Sequence, residues 1–207
     1  MDIAVDGVQL KGDLFIPEQA EAIVIFSHGS GSSRHSVRNR AVARYLQEKQ
    51  IGTLLFDLLT EEEDQDYSMR FDIDLLTRRL VAVTRWLEQL PAAKDCRIGY
   101  FGASTGAASA LKAAAVAEQV AAVVSRGGRP DMAAESLPAV AAPTLLIVGS
   151  LDTQVLALNR MALEQLVCTK ELAIVQGATH LFEEYGTLDE VMKLASAWFE
   201  KYLCNRQ

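Results

Sequence analysis

The chain has 207 residues, half of them hydrophobic, and its formal net charge is −7 at neutral pH. This length and composition predict one domain over residues 1–207, with enough apolar side chains for a substantial core. The negative charge excludes a typical nucleic-acid-binding protein, because such proteins concentrate lysine and arginine on one surface.

No feature of the sequence indicates a membrane protein or a secreted one. No apolar run is long enough to span a bilayer, and the acidic start of the chain lacks the basic and apolar regions of a signal peptide. Three widely spaced cysteines, Cys96, Cys168 and Cys204, predict free thiols rather than disulfides or a metal site. We therefore expect a cytoplasmic protein with no membrane partner, no metal and no cofactor.

Strand-like and helix-like segments alternate along the chain. The first part contains a hairpin turning at Asp6-Gly7, a buried strand at Ala22–Ser27, a Gly/Ser loop over His28–Ser36, a helix over Val37–Lys49 and a strand over Gly52–Leu58. The middle contains an acidic surface loop over Thr60–Arg70, a long helix over Phe71–Leu90, a strand over Cys96–Phe101 and a helix over Thr105–Ala117. The last part contains strands at Val120–Ser125, Pro143–Val148 and Glu171–Val175, a partly helical connection over Arg126–Pro138, and helices at Gln154–Val167 and Gly186–Leu203. This alternation predicts parallel strands joined by right-handed crossovers, in an α/β sheet covered on both faces.

A Gly-x-Ser-x-Gly motif, Gly102–Gly106, lies between a predicted strand and a predicted helix. In this context the motif is typical of a sharp turn that exposes the hydroxyl of a nucleophilic serine, here Ser104. The glycines are expected because a side chain at either position would collide with the neighbouring strand or helix. The alternative is an ordinary close-packed turn with a bystander serine.

An acid and a histidine follow two later strands at the same predicted edge of the sheet, where ligands bind in such folds. Asp152 and His180 complete the chain order Ser…Asp…His. The imidazole would take the serine proton, and the carboxylate would orient the imidazole. Alternatively, Asp152 caps the following helix, His180 is a plain loop residue, and Asp131 is either a cap or a substitute acid.

The Gly/Ser loop and the motif together predict an oxyanion hole. The donors would be the backbone N–H groups of Thr105 and of a residue in Gly29–Gly31, with Ser30 preferred. His28 precedes the nucleophile in the chain and is expected to pack or form hydrogen bonds inside the loop.

Basic residues lie near the predicted site. Arg34, His35, Arg38 and Arg40 cluster at the start of the first major helix, and Arg126 and Arg129 flank Gly127-Gly128. They indicate an anionic substrate, ion pairs with the acidic loop Glu61–Asp64, or a solvated surface. The predicted substrate-binding residues are Gly29, Gly31, Arg34, Arg126 and Phe182.

With these motifs the chain resembles the α/β-hydrolase superfamily, and within it the small, lidless branch related to dienelactone hydrolases. The matching residues are His28–Gly31, Gly102–Gly106, Asp152 and His180. The resemblance implies a three-layer sandwich around a mostly parallel sheet of about eight strands, the second of them antiparallel. Dienelactone hydrolases carry a cysteine nucleophile where this chain has Ser104. The segment Arg126–Ala142 is too short for a cap domain, so we expect an open site.

The predicted function is hydrolysis of a small ester, thioester or lactone through an acyl-enzyme on Ser104. The alternatives are an acyltransferase or small peptidase with the same residues, or a non-catalytic binding protein of the same fold. The expected partner is a small-molecule substrate, and the arginines favour an anionic one. A homodimer is the oligomeric assembly that we consider beside the monomer.

Overall fold

The computed structural model describes residues 1–204. Within this range eight strands form one sheet: β1 (Asp2–Val5), β2 (Val8–Phe15), β3 (Ala22–Ser27), β4 (Gly52–Phe56), β5 (Arg97–Ala103), β6 (Val120–Arg126), β7 (Thr144–Gly149) and β8 (Lys170–Val175). The α-helices are α1 (Val37–Glu48), α2 (Ile73–Glu88), α3 (Thr105–Ala114), α4 (Thr153–Gln165) and α5 (Thr187–Phe199).

The sheet is mostly parallel, with strand order β1-β2-β4-β3-β5-β6-β7-β8. Strand β2 runs antiparallel to both of its neighbours, and every other pair is parallel. The predicted alternation and the antiparallel second strand are thus confirmed. Strands β3, β4 and β7 are buried along their whole length, as their continuous apolar sequences require.

Helices cover both faces of the sheet and create two large hydrophobic clusters. One cluster contains side chains of α2 and α3, such as Leu80 and Leu111. The other contains side chains of α1 and α5, such as Leu46 and Val191. The connection from β6 to β7 holds an irregular 3₁₀ segment, Pro130–Ala139, and no separate cap domain is evident.

The structure adds short elements that the sequence pattern did not predict. The acidic loop contains 3₁₀ turns at Glu63–Gln65 and Tyr67–Phe71. Helix α2 begins at Ile73 rather than Phe71, because the Asp72 carboxylate accepts a hydrogen bond from the Leu75 N–H at 2.9 Å and caps the helix there. Helix α5 ends at Phe199 and passes into a π-helical turn. None of the helices within residues 1–204 combines the length and the apolarity that crossing a membrane requires.

Candidate active site

Ser104 lies in a strained turn between β5 and α3. Its φ of 51° and ψ of −121° fall in a region that residues other than glycine rarely adopt. Backbone hydrogen bonds hold it there: its N–H donates to the Arg126 carbonyl at 3.2 Å, and its own carbonyl accepts from the N–H groups of Ala107 and Arg129. The turn is therefore fixed by both flanking segments.

The two glycines of the motif are required by close packing. A Cβ atom at Gly102 would lie 2.4 Å from Ala107 Cα, and one at Gly106 would lie 2.2 Å from the Ser27 carbonyl oxygen. Both distances are far below van der Waals contact, so the expected collisions are confirmed. At this point α3 packs directly against the ends of β3 and β5.

The structure brings Ser104, His180 and Asp152 together in a hydrogen-bonded row. His180 Nδ1 is 2.6 Å from Asp152 Oδ2, and His180 Nε2 is 3.3 Å from Ser104 Oγ. With its proton on Nδ1, the imidazole donates to the carboxylate and leaves Nε2 to accept the serine proton. The Asp152 side chain is largely shielded, at 13% exposure, whereas that of His180 is 36% exposed.

The alternative roles considered for the acids can be compared with their contacts. Asp152 does occupy the N-cap position of α4, but its side chain makes no capping hydrogen bond. Asp131 forms a two-pronged ion pair with Arg129, at 2.9 and 2.7 Å. Only Asp152, of these two, contacts the histidine.

The Gly/Ser loop lies directly against the turn. A Cβ at Gly29 would lie 3.0 Å from Ser104 Cβ, so only glycine fits there without a shift. The Ser30 N–H, predicted as an oxyanion donor, already donates to the Thr105 hydroxyl at 2.8 Å. The sequence did not predict this contact, which ties the loop to the first residue of α3.

His28 connects the Gly/Ser loop to the segment after β4 through two hydrogen bonds. It is buried, its Nδ1–H donates to the Gly29 carbonyl at 3.0 Å, and its Nε2 accepts from the Leu58 N–H at 3.1 Å. Burial lowers the pKa of this imidazole, so the ring is neutral. The expected packing role of His28 is confirmed.

A cavity of about 240 Å³ opens over Ser104 and His180. Its other polar lining residues are Ser30, Ser32, Ser36, Arg38, Asn39 and Arg126, and Leu181 adds an apolar wall. Four of the lining residues were not predicted to contact substrate. Ser32 and Ser36 belong to the Gly/Ser loop, Asn39 to the first turn of α1, and Leu181 follows His180. Their position beside the motifs is the only signal in the sequence that could have identified them.

The other predicted substrate-binding residues lie elsewhere. Arg34 is ion-paired with Asp57 and lines a different cavity, so its position does not support a contact with substrate. Gly31 lines a small neighbouring cavity. Phe182 is buried, and its ring lies beneath the Arg126 guanidinium, 5.7 Å from ring centroid to Cζ.

The ion pairs of the arginine cluster differ from those expected. Arg34 and Arg40 pair with Asp13, and Arg38 pairs with Glu183 at 3.0 Å. The acidic loop instead receives Arg70 and Arg79, through Asp64 and Glu63. The alternative that the cluster pairs with this loop is therefore wrong for Arg34, Arg38 and Arg40, whose carboxylate partners are Asp13, Asp57 and Glu183.

No group of three or more His, Cys, Asp or Glu side chains within residues 1–204 is arranged to hold a metal ion. All three cysteines are free and partly exposed.

The strand order, the strained serine turn and the acid and histidine after β7 and β8 define the α/β-hydrolase fold. The model of the dienelactone hydrolase family matches residues 10–201, and the chain belongs to that family. A crystal structure of dienelactone hydrolase from Anabaena variabilis is 55% identical, covers 98% of this chain and 96% of its own, and superposes with a TM-score of 0.96.

A Mycobacterium tuberculosis protein named "Putative phosphoribosyl transferase" is also 55% identical, over 198 residues. The match covers 95% of this chain but only 45% of that relative, so the chain spans about half its length. Est1E from Butyrivibrio proteoclasticus, in a structure with ferulic acid bound, shares the fold at 17% identity, with a TM-score of 0.85 over 99% of this chain and all of the other.

Proposed function

We infer that the chain is a serine hydrolase that cleaves a small ester, thioester or lactone through an acyl-enzyme on Ser104. The observation that carries this inference is the row of contacts from Ser104 Oγ to His180 Nε2 and from His180 Nδ1 to Asp152 Oδ2. A serine hydroxyl is a weak nucleophile by itself, and this row supplies the base and the group that orients it.

The reaction proceeds in two halves. Ser104 Oγ attacks the carbonyl carbon while its proton moves to His180 Nε2, and the tetrahedral intermediate collapses as that proton passes to the leaving alcohol or thiol. Water then attacks the acyl-enzyme, again losing its proton to His180, and the acid leaves as Ser104 recovers its hydroxyl hydrogen. Asp152 holds the tautomer and stabilises the imidazolium in both halves.

The oxyanion would be bound by the Thr105 N–H and the Ser30 N–H. The first belongs to the first turn of α3, where N–H groups lack intrahelical partners. The second now donates to the Thr105 hydroxyl, and would share or exchange that bond when the oxyanion forms.

The shape of the site favours a small substrate. A cavity of about 240 Å³ holds a short acyl group, and no separate cap domain is present to enclose a long one. The name of the M. tuberculosis relative suggests phosphoribosyl transfer as a second activity. We favour acyl hydrolysis, since this chain covers less than half of that relative and matches the dienelactone hydrolase family over residues 10–201.

Labelling with a fluorophosphonate probe tests the nucleophile. We expect wild-type protein to be labelled and the Ser104→Ala and His180→Ala variants not to be. Ser68→Ala, which removes an exposed hydroxyl that does not line the cavity over Ser104, is the matched control and keeps wild-type labelling. Equal labelling of Ser104→Ala and wild type would refute the proposal.

A further inference from the structure

Arg126 is a buried cation with no carboxylate partner among residues 1–204. Its exposure is 6%. Within residues 1–204, six arginines form ion pairs with carboxylates and Arg126 does not: Arg34, Arg38, Arg40, Arg70, Arg79 and Arg129. In the same part of the chain its Nε has no hydrogen-bond partner, and its Nη2 makes one long hydrogen bond, to Asn39 Oδ1 at 3.5 Å.

A second cation lies beside it. Arg38 lines the same cavity, and its Nε is likewise buried without a partner among the described residues, although its Nη1 pairs with the exposed Glu183. Burial, and then the charge of Arg38, lower the pKa of Arg126 to about 10, so the guanidinium stays protonated at neutral pH. The Phe182 ring offers it a cation–π contact but no negative charge.

Arg126 is also close to the reacting atoms. It is the last residue of β6, its carbonyl accepts the Ser104 N–H at 3.2 Å, and its side chain lines the cavity that contains Ser104 and His180. One small ligand can therefore contact both Arg126 and Ser104.

An unpaired buried charge is costly, and its burial is offset when a ligand supplies the missing partner. A guanidinium presents its N–H donors in a planar fork that matches the oxygens of a carboxylate or a phosphate. The Asn39 amide and the hydroxyls of Ser32 and Ser36 line the same cavity and provide further polar groups.

We propose that Arg126, assisted by Arg38 and Asn39, binds an anionic oxygen group, a carboxylate or a phosphate, carried by the substrate whose carbonyl reacts with Ser104. This inference rests on the proposed function for its reaction, but the binding site itself does not depend on turnover. A substrate without such a group would leave the buried guanidinium unpaired, so the enzyme would discriminate against it.

Kinetics with two esters of similar length test the preference: 4-nitrophenyl hemisuccinate, which is anionic, and 4-nitrophenyl butyrate, which is neutral. In Arg126→Gln we expect the ratio of their kcat/KM values, anionic over neutral, to fall about 10- to 100-fold, as for loss of a charge-assisted hydrogen bond. Arg160→Gln removes an exposed arginine on α4 and should keep the wild-type ratio. An unchanged ratio in Arg126→Gln would overturn the proposal.

Titration calorimetry separates failure of this site from failure of the proposed hydrolase. Succinate and inorganic phosphate are titrated at constant ionic strength into wild-type protein and Ser104→Ala, neither titration requiring catalysis. Binding of either anion to both proteins, weakened at least tenfold in Arg126→Gln, supports the site even if no ester is cleaved, and the tighter anion identifies the group. Absence of binding at millimolar concentrations of both anions overturns it.

Asn39→Asp provides a test that does not require removing a core side chain. Since the Asn39 Oδ1 is already the partner of Arg126, a carboxylate there would supply the counter-ion internally. We expect this variant to fold and to lose both anion binding and the preference for the hemisuccinate. Retention of either would contradict the inference.

Discussion

Asp152 occupies the N-cap position directly before α4, where aspartate usually accepts hydrogen bonds from the helix N–H groups. Here its carboxylate turns instead to His180 Nδ1, at 2.6 Å, and no side-chain cap forms. Although Asp152 is well suited to capping α4, its side chain contacts the imidazole of His180 instead. Its contact with the imidazole is what distinguishes the orienting role from the capping role that the sequence left open.

Substitution of Asp152 by asparagine should nearly abolish reactivity without disturbing the fold. The amide can donate a hydrogen to Nδ1, which favours the tautomer that carries its proton on Nε2 and cannot accept from Ser104. We expect the rate of fluorophosphonate labelling to fall by about 10³- to 10⁴-fold. Asp131→Asn, which alters the carboxylate paired with Arg129, is the control and should retain the wild-type rate. The opposite pattern would make Asp131 the acid.

His28 should make the folded protein sensitive to acid. Burial lowers its pKa below the value of about 6.5 expected in the unfolded chain, so the unfolded state binds the proton more readily. Stability is therefore full above that pH and declines as the pH falls below it. Urea titrations from pH 7 to pH 5 should show a shallower decline for His28→Gln than for wild type. The exposed His35, changed to Gln, should leave the wild-type slope, and identical slopes in all three proteins would contradict the assignment.

At the scale of elements, the turn at Ser104 was predictable because most of its determinants are local. The strand, the motif and the helix are contiguous in the chain, and the collision that excludes a side chain at Gly102 involves Ala107 of the following helix α3. The environment of Arg126 was not predictable in the same way. It depends on how α1 packs against the end of β6, which brings Asn39 beside a residue 87 positions away in the chain. Nothing in the local sequence of either residue specifies that contact.

The backbone strain at Ser104 should be detectable in the stability of variants at this position. Its φ of 51° is tolerated by glycine but not by alanine, so Ser104→Gly should be more stable than Ser104→Ala by about 1 kcal/mol. The free energies of unfolding from urea titrations measure the difference. The same pair of changes at the exposed Glu164 in α4 should give the reverse order, with glycine about 1 kcal/mol less stable. The same order at both positions would show that Ser104 is not strained.

At the scale of the whole molecule, the net charge is −7, yet two arginines, Arg38 and Arg126, line the cavity over Ser104. The sequence predicted that Ser104, Asp152 and His180 lie at one edge of the sheet, because the carboxyl ends of parallel strands meet there. It could not distinguish arginines that pair with acids, such as Arg34, from an arginine that is enclosed without a carboxylate partner among residues 1–204, such as Arg126. That distinction depends on burial, which only the assembled layers determine.

The buried charge of Arg126 should lower the free energy of unfolding of the protein when no anion is bound. Replacing Arg126 with methionine keeps much of the volume and removes an unpaired buried cation, so we expect the free energy of unfolding to rise by about 1 to 3 kcal/mol. Arg79 is the matched control, since it is equally buried, at 4% exposure, but pairs with Asp6 and Glu63 at 3.3 and 2.8 Å. Arg79→Met should lower stability by about 1 to 2 kcal/mol, a moderate loss because both acids remain partly exposed.

Urea denaturation without added anions measures both changes. A loss of stability in Arg126→Met as large as that in Arg79→Met would show that contacts within the fold already compensate the charge of Arg126. With succinate or phosphate present, the advantage of Arg126→Met should shrink, because the anion stabilises only the protein that binds it.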